Sequence, residues 1–176
     1  MKKAATIFQL LSVFVFSFYS CSDNDLPAAD KFNLDSYMGK WFEIAALPGG
    51  VNKGCTCTTF DYKLSEKRDY VMIINSCIKK GKQGAVLAKG FIDENAAGAK
   101  WKMQLFWPFT EDYCVLALAD DYSYAMAGHP DRKKLWIVSR NPVMDSAVYN
   151  LLTEKAQSLC FDTTQLIRTI RDCNLK

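Results

Sequence analysis

The sequence predicts an all-β fold, an antiparallel meander of eight strands followed by a single helix. Three observations carry this. Short runs of aromatic and aliphatic residues recur between Lys40 and Arg140, turn residues punctuate them, and the apolar spacing turns helical after Pro142. Such a meander closes into an up-and-down barrel or stacks as a sandwich.

The elements follow in order. Asn33–Gly39 reads as one short helical turn. Lys40–Leu47 is the first strand and stops at Pro48-Gly49-Gly50, a strong breaker. Cys55–Leu64 alternates and meets Tyr70–Ile78 across the turn 65–69, a hairpin pattern. After Gly81-Lys82-Gln83-Gly84 come Ala85–Asp93 and Lys100–Trp107, joined around Gly98. Tyr113–Ala119, Ser123–Gly128 and Lys134–Arg140 complete the set, with His129-Pro130-Asp131-Arg132 as the last turn. From Asp145 to Leu159 the apolar positions Val148, Leu151, Leu152, Ala156 and Leu159 share one helix face, with Asn141 or Asp145 as the cap. Gln165–Ile170 is a final extended piece leading to Cys173.

At 176 residues the chain has room for one domain behind an address segment. Lys2 and Lys3, the apolar stretch Ala4–Phe18 and small Ser20 read as a cleaved signal peptide over residues 1–20. The stretch is interrupted by Gln9, Ser12 and Ser17, and is short of the roughly 20 apolar residues a membrane helix needs. Residues 21–32 then form a tether, and 33–176 the barrel domain. Loss of Lys2 and Lys3 leaves 20 basic and 19 acidic residues, a net charge of +1 that gives no electrostatic case for nucleic acid. Exterior strand positions carry too many Lys, Asp and Glu for an integral membrane barrel.

Seven cysteines are present: Cys21, Cys55, Cys57, Cys77, Cys114, Cys160 and Cys173. Phe18-Tyr19-Ser20-Cys21 resembles a bacterial lipobox, which makes Cys21 the lipidation site and leaves an even set for disulfides in an oxidising compartment. Folding the hairpin leaves Cys55–Cys77 within reach. Cys-x-Cys with a single distant His129 lacks zinc-site spacing, so no metal or cofactor is expected.

Gly39-Lys40-Trp41-Phe42-Glu43-Ile44-Ala45, preceded by Leu34 and Asp35, resembles the first-strand signature of the lipocalins. The second half is more specific: Val115-Leu116-Ala117-Leu118, Tyr122, Ala125, Pro130-Asp131-Arg132 and Leu135-Trp136-Ile137-Val138-Ser139-Arg140-Asn141-Pro142 closely resemble the bacterial outer-membrane members of that family. Asp120-Asp121-Tyr122 stands as a shifted form of the middle signature. The resemblance covers residues 33 to about 172. It implies the eight-stranded barrel with one C-terminal helix packed outside, and places Trp41 at the closed end with Arg140 across its face.

With Trp41 inward, strict alternation puts Glu43 and Ala45 inside and Phe42 and Ile44 outside. Tyr113, Val115 and Ala117 are expected inside on the sixth strand, and Phe106, Trp107 and Phe109 near the open mouth. Glu43, Ala45, Phe106, Trp107, Phe109, Tyr113 and Val115 are the candidate ligand-binding residues. The resemblance further pairs Cys57 with Cys173, which leaves Cys114–Cys160 by elimination.

The function implied is a lipid-anchored envelope protein at the outer membrane, facing the periplasm, or else a secreted one. It binds, stores or transports small hydrophobic ligands such as fatty acids or lysophospholipids. Expected partners are that ligand and the membrane, with a homodimer left open. The alternative is a lipid-modifying enzyme on the same barrel, which needs a nucleophile with a nearby base.

Overall fold

A computed structural model describes residues 25–49, 52–93 and 98–173. The expected signal segment 1–20 and Cys21 lie outside the described residues. A short helix, α1 (Leu34–Tyr37), precedes eight strands: β1 (Gly39–Ala46), β2 (Thr56–Leu64), β3 (Val71–Lys79), β4 (Lys82–Ile92), β5 (Lys100–Phe106), β6 (Phe109–Leu118), β7 (Tyr124–Gly128) and β8 (Leu135–Ser139). Helix α2 (Ser146–Ser158), a 3-10 turn (Thr163–Gln165) and the two-residue β9 (Ile167–Arg168) follow.

Strands adjacent in sequence pair antiparallel, and β1 closes the ring. Its first half, Gly39–Phe42, pairs with β2, and its second half, Phe42–Ala46, pairs with β8. β9 adds beside Ala45 and Ala46. Closure distinguishes this barrel from a sandwich and leaves none of the eight strands as an edge.

Two strands start earlier than their side chains suggest. β4 begins at Lys82 because Lys80 and Gly81 alone make the turn, both with positive φ (53° and 74°), the pairing that matches strand twist in a tight hairpin. β6 begins at Phe109 because Trp107-Pro108 suffices to reverse the chain.

Burial divides into two layers. Inside the barrel lie Tyr37, Trp41, Tyr62, Ile73, Trp101, Tyr113, Val115 and Val138 among others. Outside, Ile44, Leu116, Met126, Leu135 and Ile137 pack beneath Leu152 and Ala156 of α2. Asp145 caps α2, its carboxylate accepting from the backbone N–H of Ala147 at 2.7 Å and of Val148 at 3.4 Å. Leu151, expected on the buried stripe, is exposed, since the packed row runs through Val148, Leu152, Ala156 and Leu159.

Two bulges correct the strict alternation. Register shifts between Glu43 and Ala45 on β1, and between Val115 and Ala117 on β6. An extra residue places two successive side chains on one face. Ala45 therefore sits in the outer layer with Ile44, and Ala117 with Leu116, so neither faces the interior.

The N-terminal segment is not a free linker over its second half. Leu26 is buried in the outer layer, Lys100 Nζ holds the Asp25 carboxylate at 2.5 Å, and the Ala29 N–H donates to Val115 O at 2.7 Å. An apolar side chain and a backbone hydrogen bond offset the ordering cost that a polar composition alone would leave unmet.

Disulfides join Cys55 to Cys77 and Cys57 to Cys173. A bulge between Thr56 and Thr59 and a positive φ at Cys57 separate the two thiols, one toward β3 and the other toward the tail, where the Cys57 N–H also donates to Ile170 O. The Cys114–Cys160 pair is not formed. Cys114 is a free thiol under the N-terminal segment, its Sγ near the carbonyls of Leu26 and Pro27. Elimination ranks partners without regard to which layer each thiol faces.

Candidate functional site

Arg140 seals one end of the barrel. Its guanidinium lies 3.8 Å from the Trp41 ring centroid and donates to the carbonyls of Ser36, Met38 and Lys40 at 2.8, 2.8 and 2.9 Å, and of Tyr37 at 3.2 Å. The Trp41 indole N–H donates to Tyr37 O at 2.9 Å. The terminal carbonyls of α1, which have no partners within the helix, are thereby satisfied.

Above Arg140 and Trp41 the plug is aromatic. Tyr37 contacts Trp41, Tyr62 and Trp101 at ring separations of 5.1, 5.3 and 5.7 Å. The buried Tyr113 hydroxyl bonds those of Tyr37 (3.0 Å) and Tyr62 (3.2 Å), so all three phenols have partners. Burial raises the Tyr113 and Tyr37 hydroxyls well above the usual phenol range and pushes Tyr62 up to about 12. Gly90 makes room for this packing, since a Cβ there would meet Trp101 Cε3 at 3.0 Å.

Over this floor opens a cavity of about 380 Å³, within the roughly 300–1,000 Å³ of small-ligand sites. Tyr62 and Tyr113 form its floor, while Phe60, Ile73, Val86, Ala88, Met103 and Trp136 are among its walls. Leu105, Phe106 and Phe109 line it toward the β5–β6 turn, beside the ion pair of Lys134 with Glu111 at 2.5 Å. A second hollow, under the N-terminal segment, is bordered by Asp25, Lys100, Asp112 and Asp131 and is therefore charged.

One wall is polar. Asn52 Nδ2 donates to Glu43 Oε2 at 3.1 Å, and Asn75 Nδ2 donates to Asn52 Oδ1 at 2.8 Å. The chain of donors fixes each amide and leaves Asn75 Oδ1 buried with no partner among the described residues. Glu43 lies behind this wall, held also by Thr169 Oγ1 at 2.8 Å, and its carbonyl accepts from Arg171. Burial pushes its carboxyl above the ordinary range, while hydrogen bonds from Thr169 and Asn52 and the charge of Arg171 pull it down.

The expected ligand residues thus fall into different places. Phe106, Phe109 and Tyr113 line the cavity; Trp107 is exposed beside it; Glu43 backs its polar wall; Val115 is sealed into the plug; and Ala45 is outside the barrel. Asn52 and Asn75 were not among the candidates. Counting alternate positions on β3 finds Ile73 and Asn75 together, but Asn52 sits in a connection with no period to read.

The surroundings suit reversible burial of an apolar chain, with each methylene taken from water contributing about 0.8 kcal/mol before the costs of binding. A family model described as a lipocalin-like domain matches residues 32–171. Temperature-induced lipocalin-1 of Arabidopsis thaliana is 32% identical over 154 residues, covering 82% of each chain. The outer membrane lipoprotein Blc of Vibrio cholerae is 28% identical over 144 residues, covering 80% of this chain and 83% of its own. Insecticyanin of the tobacco hornworm Manduca sexta shares the fold, with a TM-score of 0.69 at 23% identity over 86% of this chain and 89% of its own. The plugged barrel, its outer helix and the matched span from residue 32 to the tail make this chain a member of the lipocalin family.

Proposed function

We propose that this chain is a lipid-anchored envelope carrier. In this reading residues 1–20 are removed, Cys21 bears acyl chains such as palmitate that hold it to the outer membrane facing the periplasm, and the barrel binds, stores or transports fatty acids or lysophospholipids. The observation that carries the reading is the apolar cavity above the tyrosine floor. Asn75 Oδ1 adds a preference for a ligand with a hydrogen-bond donor, which the glycerol hydroxyl of a lysophospholipid supplies.

Native mass spectrometry with lipid identification on the exported protein tests it. A single-chain amphiphile is expected to travel with the barrel. Ala88→Trp, which projects into the cavity beside Ile73, should lower the occupied fraction. An empty wild-type barrel, or a variant as loaded as the parent, would refute the carrier reading. The same spectra read the N terminus: acyl mass on Cys21 is expected, and a Cys21 sulfur engaged in a disulfide would refute the anchor.

The enzyme alternative needs a nucleophile at the cavity. The free thiol among the described residues, Cys114, lies in the outer layer, and burial pushes it up to about 11. That placement favours binding without a covalent step. A thiol that reacts rapidly in the native protein would restore the alternative.

A further inference from the structure

The rim of the barrel carries features that a ligand inside it does not require. Four connections meet at the open end: 47–55, 80–81, 107–108 and 129–134. Lys53, Lys79, Lys80, Lys82 and Lys133 stand exposed there, and none forms an ion pair among the described residues. The rim's acids are all engaged: Glu111 by Lys134, Asp112 by Lys102 and Asp131 by His129. Residues 47–55, 79–82, 105–112 and 129–134 together hold seven basic side chains against three acidic ones, a net +4. At the closed end the turns 65–70 and 119–123 carry Glu66, Asp69, Asp120 and Asp121 against Lys67 and Arg68. Charge is separated along the barrel axis although the chain as a whole is near neutral.

From the middle of this basic rim projects an aromatic finger. Phe106, Trp107 and Phe109 at the tip of the β5–β6 hairpin are 70%, 85% and 75% exposed. Grouped large apolar side chains on a surface mark an interaction site. Phe106 and Phe109 border the cavity, but Trp107 does not, so a ligand inside leaves the indole uncovered. An indole with a free N–H suits the boundary between headgroups and acyl chains, and lysines beside it suit anionic headgroups.

We infer that the open rim docks on an anionic lipid bilayer, with Trp107 and its neighbours entering the interface and the lysines lying over the headgroups. A second copy of the chain is a poor occupant, because mouth-to-mouth contact sets the two basic rims against each other. The chain also enters the described structure from the mouth side, since Asp25 and Leu26 border the same hollow as Pro130 and Asp131. Docked this way, the cavity opens directly onto the bilayer. The inference concerns the rim alone and stands whichever ligand the barrel holds.

The test uses residues 22–176, which include every described element and keep the N terminus constant across variants. Vesicles of phosphatidylcholine alone are compared with vesicles containing about 30% phosphatidylglycerol, by flotation and by tryptophan emission. Trp41 and Trp101 are buried in the plug and Trp136 is half-buried in the cavity wall, so the part of a blue shift that Trp107→Ala removes reports on Trp107. Binding to the anionic vesicles should be at least about tenfold tighter and should weaken with salt. Trp107→Ala should remove the blue shift, and Lys79→Gln, Lys80→Gln and Lys82→Gln should each weaken anionic binding up to about fivefold. These side chains are exposed, so the fold survives their loss. Equal binding to both vesicles, variants that bind like the parent, or a dimer in solution that Trp107→Ala dissolves would each overturn the inference. A barrel that docks but carries no lipid refutes the carrier reading and leaves this one standing.

Discussion

Replacing Arg140 by lysine isolates what the guanidinium does at the closed end. Arginine reaches four carbonyls, those of Ser36, Tyr37, Met38 and Lys40, while stacking 3.8 Å from the Trp41 ring centroid. Lysine keeps the charge but offers one compact ammonium, which cannot span that fork or lie flat on the indole. A hydrogen bond from a charged donor contributes about 1.5–3 kcal/mol, and the stack about 0.5–2 kcal/mol. Four bonds sharing one half-buried group do not add, and lysine retains one or two of them, so the expected loss is about 2–4 kcal/mol. For a domain of this size that lowers Tm by about 5–15 °C. Urea unfolding measures it, with an unchanged m-value showing that the folded and unfolded states are otherwise the same. A double-mutant cycle with Trp41→Leu should give a coupling of about 0.5–2 kcal/mol. A loss below about 1 kcal/mol, or a coupling indistinguishable from zero, would refute the assignment of this pair as the barrel's seal.

The disulfides should rank by loop length. Cys57–Cys173 spans 116 residues and Cys55–Cys77 spans 22, so Cys57→Ser with Cys173→Ser should cost about 5 kcal/mol and Cys55→Ser with Cys77→Ser about 3 kcal/mol; urea unfolding in the reverse order would contradict this. Glu43 predicts a pH dependence. Its folded carboxyl titrates above the unfolded one, near about 4.3, so between the two values the folded state holds a proton that the unfolded state has released. Stability from this group therefore falls as pH rises through the window, and the full cost is present above it. Glu43→Gln removes that slope: the stability of the variant relative to the parent should rise with pH across the window and then level off, and a fall would show the sign to be wrong.

Much of the fold was legible because it rests on local chemistry. Pro48-Gly49-Gly50 had to end β1, a glycine turn had to follow β3 although it closes at Lys80-Gly81 rather than over 81–84, and of the two caps open to α2, Asn141 and Asp145, it is Asp145 that serves. The candidate site was less legible. Phe106 and Phe109, expected near the mouth, and Tyr113, expected inside, all line the cavity, yet alternation carried Ala45 and Ala117 into the interior, because a bulge inserts one residue without any marker in its own side chains. Asn52 escaped because a residue in an irregular connection acquires a direction only from the strands it is folded against.

What the sequence determined by itself is the part governed by near neighbours: strand period, turn chemistry, the capped helix, and the residue types available to build a plug and a greasy interior. Tertiary structure decided which layer each side chain entered, why Cys114 remained a thiol, how Glu43, Asn52 and Asn75 joined into one polar wall, and that lysines of three separate connections share one rim with the aromatic tip of a fourth. Those outcomes depend on register and closure between segments tens of residues apart. Such relations arise only when the ring is complete, and no window of sequence contains them.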